Sequence, residues 1–282
     1  MGRLATVGLF DPSVRSASVS TPVSEIPVVV LCGGQGTRIR EASERLPKPL
    51  IDIGGRPVLW HIMKGFGHHG SRRFVLCLGY RAWDIKEYFL RYRENLTDFT
   101  VGLSGGDVEF IGPQVEDDWK VTCVDTGLLT GTGGRLKGVV EHLDTDEFFV
   151  TYGDGVADVD PVALMETHRS NGHMVTVTGV QPGGRYGELT IEGDKVAEFA
   201  EKPDSPDSFV SGGFFAMNKE FIDRIGDDPS TMFEQQPLRQ LASEGGLGVH
   251  RHEGFWVGMD TFREYTALNE LWANGEAPWK VW

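Results

Sequence analysis

The chain has 282 residues, of which 40% are hydrophobic and 24% charged, and its formal net charge is −14. This composition is typical of a globular protein, and the length suits one large α/β domain. The negative charge argues against nucleic acid or an anionic membrane surface as a partner, because both are bound through basic stripes. The sequence contains no apolar run of about 18 residues, so we expect no membrane span and a cytoplasmic protein.

The N-terminal segment and the cysteines complete this first picture. Residues 1–25 are rich in Ser, Thr, Val and Pro and lack the compact apolar stretch of a signal peptide. We therefore expect a disordered extension at 1–25 and a folded domain at 26–282. Each cysteine lies in an apolar run, which predicts buried, reduced thiols in strands rather than metal ligands. The cysteines are Cys32, Cys77 and Cys123.

Short apolar, β-branched runs alternate with segments of helical spacing in the first half of the chain. Strands buried on both faces, as a parallel sheet requires, are predicted at 27–32, 74–78 and 148–152. Apolar residues recur with helical spacing within 58–66, 83–89 and 136–143. Strands and helices in this order predict an α/β fold with a doubly wound sheet.

After about residue 172 the pattern changes to strand-like runs separated by turns rich in Gly and Asp. These runs predict a β-meander inserted before the last helices. They cover residues 174–180, 186–191, 195–200 and 209–217. The last helices are expected at 229–243 and 261–274.

A glycine-rich loop follows the first predicted strand. Its residues are Gly33, Gly34, Gln35, Gly36, Thr37 and Arg38. Glycines let backbone N–H groups approach phosphate oxygens closely, and arginine adds a forked cation. The loop matches neither the dinucleotide fingerprint G-x-G-x-x-G nor the P-loop, which argues against a nicotinamide oxidoreductase and a kinase-like protein. Taken alone, the loop is equally consistent with a plain turn.

Two lysines precede prolines. Lys48 stands between Pro47 and Pro49, on a backbone that the prolines hold extended, and this fixes where its ammonium points. Lys202 precedes Pro203 just after a predicted strand. Exposed lysines beside prolines are common, so neither residue identifies a site by itself.

Together these segments resemble the signature of the sugar-1-phosphate nucleotidyltransferases, L-x-G-G-x-G-T-R followed by K-P-L. The resemblance runs from about residue 28 to residue 282 and is strongest to the members that use CTP and glucose 1-phosphate. Its most specific segments are VDTG (124–127), TGGRLKGV (132–139) and TYGDGVADVD (151–160). It implies a Rossmann-like, doubly wound mixed sheet with an inserted β-rich sugar-binding portion and C-terminal helices. It also implies a nucleotide half at about 26–160, a sugar-binding half at about 161–282, and a homo-oligomer.

The resemblance further implies a role for each site residue. CTP would be bound by Leu31, Cys32, Gly33, Gly34, Gln35, Gly36, Thr37, Arg38, Lys48, Thr130, Arg135 and Gly153. The sugar 1-phosphate would be bound by Tyr152, Gly187, Glu201, Lys202, Ser211, Gly212 and Trp256. Asp154 and Asp260 would hold Mg²⁺, the implied cofactor. The catalytic residues of a direct in-line displacement would be Arg38, Lys48, Asp154 and Lys202.

Four positions depart from the pattern of this family. Ser211 replaces an asparagine, Val257 and Gly258 replace a Gln-Pro pair, and Leu46 replaces a lysine. Three of these lie on the sugar side, and serine reaches less far than an amide. A different sugar 1-phosphate therefore stays open, as does UTP or dTTP as the donor. An inactive, nucleotide-sugar-binding regulator would be expected to lose a metal aspartate or a lysine, and this chain keeps Asp154, Asp260, Lys48 and Lys202.

Overall fold

The computed structural model describes residues 21–34, 46–112, 116, 118–181, 188–192, 194–200 and 209–282. Of the predicted extension, residues 1–20 lie outside this range, and Val23–Glu25 form a 3₁₀ turn. The helices within the described residues are α1 Val58–His68, α2 Ala82–Leu90, α3 Tyr92–Leu96, α4 Thr132–Gly138, α5 Pro161–Asn171, α6 Gln236–Ser243 and α7 Phe262–Ala273. None of them is both long and apolar enough to cross a membrane.

Most of the strands join one large sheet. The strands are β1 Val28–Leu31, β2 Asp52–Ile53, β3 Arg56–Pro57, β4 Arg73–Leu78, β5 Asp98–Val101, β6 Val108–Ile111, β7 Lys120–Asp125, β8 Glu147–Tyr152, β9 Gly155–Ala157, β10 Val175–Val180, β11 Glu188–Glu192, β12 Lys195–Ala200, β13 Phe209–Asn218, β14 Leu247–Arg251 and β15 Trp256–Gly258. The large sheet has nine strands in the order β10-β14-β12-β11-β13-β8-β1-β4-β7, and β10 also pairs with β13. Short two-stranded ladders join β2 to β3, β5 to β6, and β9 to β15.

The sheet has a parallel half and a mixed half. Strand β1 runs parallel to both β4 and β8, and β4 runs parallel to β7. Strand β13 then joins β8 in the antiparallel direction and carries the meander of β10, β11 and β12. The predicted α/β architecture with an inserted β-rich portion is therefore confirmed, and the meander extends the central sheet.

Apolar clusters cover both faces of the parallel half, which explains the run of hydrophobic residues in β1. Val28 and Val30 of β1 pack with Leu59 and Met63 of α1 on one face. Val29 faces the opposite cluster, which includes side chains of α6. All four residues of β1 are buried, as the sequence predicts for a strand covered on both sides.

The predicted helix at 229–243 is wrong in its first half, because α6 begins only at Gln236. The carbonyl of Pro229 accepts from Gly131 N–H at 2.8 Å, and that of Thr231 accepts from Gly133 N–H at 2.9 Å. These carbonyls are bonded to α4 and the residue before it, so this segment follows a path that a regular helix does not take. The predicted helix at 136–143 is also shorter, since α4 ends at Gly138 and Val140–His142 form a 3₁₀ turn.

The cysteine prediction is confirmed in full for Cys77, which is buried in β4, whereas Cys32 directly follows β1 and Cys123 is less buried. Cys32 and Cys77 are buried and Cys123 is half-buried, and all three are free thiols. Cys123 is less buried because it lies in β7, the edge strand of the sheet. Burial is the main cause that raises the pKa of the Cys77 thiol to about 12.

Candidate functional site

A cavity of about 340 Å³ opens where the parallel strands β1 and β8 end. This is the usual position of a ligand site in an open α/β sheet, outside the carboxyl ends of its strands. The lining residues are Leu31, Cys32, Gly33, Gly34, Lys48, Pro49, Thr130, Gly131, Thr132, Arg135, Tyr152, Gly153, Asp154, Met232 and Asp260. The structure thus brings together those residues of the predicted CTP site that it describes.

A second cavity of about 230 Å³ lies beside the first. It contains four of the predicted sugar-site residues, which are Tyr152, Ser211, Gly212 and Trp256. Tyr152, Asp154 and Asp260 line both cavities. A ligand in one cavity and a ligand in the other would therefore meet at these two carboxylates.

The ammonium of Lys48 binds both carboxylates at this junction. Lys48 Nζ lies 2.6 Å from Asp154 Oδ2 and 2.7 Å from Asp260 Oδ1. Burial by itself lowers the pKa of Lys48, but the two carboxylates outweigh burial and the pKa is raised. The lysine is therefore fully charged at neutral pH, and three charged groups from distant parts of the chain converge on one point.

Backbone pairing brings Asp154 and Asp260 together. Asp154 directly precedes β9 and Asp260 follows β15, and Gly155 stands opposite Gly258 in the ladder of these two strands. The N–H of Asp260 donates to Glu264 Oε2 at 2.7 Å. Glu264 belongs to a capping box with Thr261 at the start of α7, so the cap of this helix also fixes the second aspartate.

Lys48 is positioned by the proline restraint that the sequence predicts. Pro47 is extended, with φ −65° and ψ 146°, and a 3₁₀ turn at Lys48–Leu50 follows it. Pro49 and Leu50 are buried in this turn. The lysine thus stands on an anchored backbone, with a side chain that is only 10% exposed.

Arg135 lines the first cavity, and its guanidinium donates hydrogen bonds to acceptors of the protein itself. Its Nη1 donates to Leu78 O at 2.8 Å and to Thr126 Oγ1 at 2.7 Å, and its Nη2 donates to Gly33 O at 3.2 Å. The residue is 5% exposed, and burial lowers the pKa of its guanidinium. These three bonds hold the ends of β1 and β4 together beneath the cavity, a supporting role that the resemblance does not imply.

Trp256 and Ser211 form walls of the second cavity. Trp256 Nε1–H donates to Gly212 O at 2.6 Å, which fixes the indole against β13. Ser211 Oγ accepts from Gly213 N–H at 3.3 Å within its own turn. Gly213 has φ +75°, a conformation that favours glycine, and a Cβ there would lie 2.6 Å from the Tyr152 ring.

The four positions that depart from the family pattern lie in different surroundings in the structure. Ser211 and Gly258 line the second cavity, whereas Val257 does not. Val257 packs against the main apolar cluster instead, and Leu46 is 40% exposed. The differences that could change the sugar are therefore Ser211 and Gly258.

Sequence reasoning missed Glu234. Its Oε1 accepts from the hydroxyl of Tyr152 and its Oε2 accepts from the hydroxyl of Thr132. Burial is the main cause that raises the pKa of the Glu234 carboxyl. Glu234 is 102 positions from Thr132 along the chain, and no spacing in the sequence connects them.

Several predicted site residues lie outside the described residues. They are Gln35, Gly36, Thr37, Arg38, Gly187, Glu201 and Lys202. Among the described residues, no group of three or more His, Cys, Asp or Glu side chains could hold a metal ion by itself. Any metal at Asp154 and Asp260 would therefore need further ligands from bound molecules or water.

Comparison with known proteins gives concordant matches. A model of the nucleotidyl transferase family matches residues 27–270. The chain is 46% identical to glucose-1-phosphate cytidylyltransferase of Salmonella typhi over 255 residues, which are 90% of this chain and 98% of that protein. It is 41% identical to a probable glucose-1-phosphate cytidylyltransferase of Bacillus subtilis, over 90% of this chain and 99% of that protein.

Solved structures resemble this fold at lower sequence identity. HddC from Yersinia pseudotuberculosis, complexed with GMP-PN, superposes with a TM-score of 0.71 at 23% identity, over 88% of this chain and 99% of that one. The inositol-1-phosphate CTP transferase from T. maritima gives a TM-score of 0.66 at 16% identity, over 88% and 96% of the two chains. At these identities the likeness concerns the fold alone.

Proposed function

Because this chain belongs to the nucleotidyl transferase family, we propose that it transfers a cytidylyl group from CTP to α-D-glucose 1-phosphate. The products are CDP-glucose and pyrophosphate. Support comes from relatives of this activity that are 41–46% identical over 90% of the chain. The observation that carries the proposal is the junction of two cavities at Asp154 and Asp260, since the reaction must bring two phosphate-bearing substrates together.

The proposed reaction is a direct in-line displacement. An oxygen of the sugar 1-phosphate forms a bond to the α-phosphorus of CTP, while the bond from that phosphorus to the bridging oxygen breaks and pyrophosphate leaves. The attacking phosphate is already an anion, so the reaction needs no activated side-chain nucleophile. The protein contributes alignment of the two substrates and neutralisation of their charge.

We further propose that Asp154 and Asp260 bind Mg²⁺. Both carboxylates contact a single ammonium in this structure, at 2.6 and 2.7 Å, so the two side chains are close enough to share one cation. Carboxylate oxygens are suitable Mg²⁺ ligands, and Mg²⁺ completes its shell with substrate phosphates and water. When bound, the metal would supply a positive charge to the phosphate oxygens of the substrates.

The remaining roles follow from position and charge. In the first cavity, Lys48 supplies a positive charge beside the junction, where the α-phosphate would lie. Arg38 is assigned to the triphosphate, and Lys202 with Glu201 to the sugar 1-phosphate, from the resemblance alone. In the second cavity, Trp256 and Tyr152 form walls for the sugar ring. These assignments explain how a chain of net charge −14 can bind two anionic substrates, because its cations are concentrated at a few positions.

A second candidate keeps the chemistry and changes the sugar. Ser211 and Gly258 line the second cavity and are two of the positions where the chain departs from the family pattern. A serine whose oxygen already accepts from Gly213 N–H offers a sugar hydroxyl less than an asparagine would. This difference would favour a modified or different sugar 1-phosphate as the acceptor.

The test is pyrophosphate release with Mg²⁺ over a grid of nucleoside triphosphates, including CTP, UTP and dTTP, against several sugar 1-phosphates. We expect activity with CTP and glucose 1-phosphate. Activity with CTP and another acceptor only would favour the second candidate. Activity confined to UTP or dTTP would overturn the choice of CTP, and an inactive grid would overturn the enzymatic proposal.

We also propose that the protein is a homo-oligomer in which the β5–β6 hairpin binds a second copy. Five apolar side chains of the hairpin are 42–93% exposed, and the strand register places Phe99, Val101 and Val108 on one face, where an exposed apolar patch marks an interaction site. The five are Phe99, Val101, Leu103, Val108 and Ile111. We expect Leu103→Glu to lower the molar mass in light scattering, and an unchanged mass would exclude Leu103 from the interface.

A cytoplasmic location is part of the proposal. The three cysteines are free thiols, as expected for a reducing compartment. Fractionation of the source cells, with detection of this chain, would test the location.

A further inference from the structure

Glu234 connects the walls of the two cavities without lining either of them. One carboxylate oxygen accepts from the Tyr152 hydroxyl and the other accepts from the Thr132 hydroxyl. Tyr152 lines both cavities, whereas Thr132 lines only the first. The carboxylate therefore lies behind the cavity walls and binds one residue that lines both cavities and one that lines only the first.

The three residues come from separate parts of the fold. Tyr152 is the last residue of β8, and Asp154 follows it by two positions. Thr132 is the first residue of α4, and Glu234 lies shortly before α6. A single side chain thus joins the end of β8, two residues before Asp154, to the start of α4.

The segment that carries Glu234 is held in place by its backbone. The carbonyls of Pro229 and Thr231 accept from the N–H groups of Gly131 and Gly133 at 2.8 and 2.9 Å. A Cβ at Gly131 would lie 2.3 Å from Ser230 O, so glycine at 131 is required for this close approach. These backbone bonds tie the segment to the start of α4, which brings the carboxylate of Glu234 next to Thr132.

Carboxylate chemistry suits this bridge better than a neutral side chain would. An ionised carboxylate has two accepting oxygens and no donor, so it can accept one hydrogen bond from each hydroxyl. Hydrogen bonds to a charged acceptor are about twice as strong as neutral ones. The Thr132 oxygen also accepts from Phe233 N–H at 3.1 Å, which orients the threonine hydroxyl toward the carboxylate.

We propose that Glu234 is a positioning residue that sets the geometry of both binding cavities through Tyr152 and Thr132. This inference rests on the proposed function. It has a chemical consequence for Tyr152. Because the phenol proton is donated to Glu234, the phenol oxygen can only accept from a ligand, which suits a sugar hydroxyl and disfavours a phosphate oxygen.

The experiment compares three single substitutions by their effects on the KM for the sugar 1-phosphate and on the KM for CTP. Tyr152→Phe removes the hydroxyl on the shared wall and should raise KM for the sugar 1-phosphate about tenfold, the scale of one buried hydrogen bond. Thr132→Val should raise KM for CTP by a similar factor. Glu234→Ala should raise both KM values. Glu244→Ala, an exposed glutamate whose surface pair with Arg224 contributes little, is the matched control and should change neither.

A double-mutant cycle distinguishes positioning from a general loss of structure. In the Tyr152→Phe background, Glu234→Ala should have almost no further effect on KM for the sugar 1-phosphate, because the bond that it would break is already absent. Glu234→Gln keeps one accepting oxygen but replaces the other with a donating NH2 group, so it should restore the KM values only in part, to between those of Glu234→Ala and wild type. Thermal midpoints of all variants identify any that are unfolded.

Two results would overturn the inference while leaving the proposed function intact. One is an active Glu234→Ala protein whose KM values are those of wild type. The other is fully additive effects of Glu234→Ala and Tyr152→Phe. A wild-type protein that releases no pyrophosphate with any acceptor would instead overturn the proposed function, and this inference with it.

Discussion

The guanidinium of Arg135 occupies the space that a side chain at Gly33 would need. An ideal Cβ at Gly33 would lie 2.0 Å from Arg135 Cζ, while one at Gly34 would meet no atom within 4 Å. Arg135 in turn donates to the carbonyl of Gly33. The buried arginine beneath the loop therefore explains the glycine at position 33, whereas at Gly34 the protein itself leaves room for a Cβ.

This relationship gives a matched pair of variants. We expect Gly33→Ala to lower the thermal midpoint and to reduce activity, because the new methyl group displaces Arg135 from its three acceptors. The free energy of unfolding should fall by about 2 kcal/mol or more, the scale for disrupting buried hydrogen bonds. Gly34→Ala should leave the midpoint unchanged. Differential scanning fluorimetry of the two proteins decides the point, and equal stability would contradict the assigned role of Gly33.

Loss of the Lys48 ammonium should affect both catalysis and cation binding. Lys48→Ala removes a charge that the proposed reaction uses, so we expect turnover to fall by about 10²-fold or more. It also leaves two carboxylates facing each other without their shared ammonium. Added Mn²⁺ or Mg²⁺ should then raise the thermal midpoint of Lys48→Ala more than that of wild type. Lys280→Ala, at an exposed lysine near the C-terminus, is the control.

Asp154 tests the metal assignment directly. Asp154→Asn keeps the shape of the side chain but removes a charged oxygen ligand, so we expect turnover to fall by about 10²-fold and Mn²⁺ binding in the presence of CTP to weaken. Electron paramagnetic resonance of free Mn²⁺ measures the second effect. Asp52→Asn, at an exposed carboxylate in β2, should bind Mn²⁺ as wild type does. Near-normal turnover of folded Asp154→Asn would remove Asp154 from the metal site.

The sequence predicts those parts of the molecule in which each segment contains its own signal. Strand β1 has a continuous apolar run because both of its faces are covered. The apolar stripe at 58–66 predicts α1, and the helix predicted at 261–274 is confirmed as α7. Each of these signals is local, so periodicity rules are sufficient to read it.

The features that could not be predicted depend on distant parts of the chain. The sequence predicts a helix from residue 229, but hydrogen bonds to α4 and the residue before it hold 229–231 in another conformation. Glu234 is recognisable only from its two hydroxyl partners, and Thr132 is 102 positions away. For Lys48, the family resemblance gives the residue but not its pairing with Asp154, 106 positions away. Tertiary contacts of this kind have no signature in spacing.

A buried histidine should make the fold sensitive to acid. His61 of α1 lies among the rings of Trp60, Trp272, Trp279 and Trp282. Trp279 Nε1–H donates to its Nδ1 at 3.3 Å and Nε2 lies 2.9 Å from Ile53 O, which is the pattern of a neutral ring with its proton on Nε2. Burial lowers the pKa of His61 to about 4. Protonation would also place a second N–H against the Trp279 donor.

The sign of the effect follows from this lowered pKa. The unfolded chain binds a proton at His61 with the ordinary pKa of about 6.5, whereas the folded chain binds it only near pH 4. Stability is therefore lost as pH falls from about 6.5 to about 4, and it changes no further from this residue below that. From this residue, the free energy of unfolding is expected to fall by about 2 kcal/mol between about pH 7 and about pH 5.

Urea unfolding at these two pH values measures the loss, with His61→Gln as the test variant. His61→Gln should be less stable than wild type near pH 7, because the ring contacts with the tryptophans are lost. That difference should narrow by about 2 kcal/mol near pH 5, since the variant has no group at this position to protonate. A gap between wild type and His61→Gln that is independent of pH would show that His61 is not the acid-sensitive group, because the other buried histidines contribute equally to both proteins and cancel in the comparison.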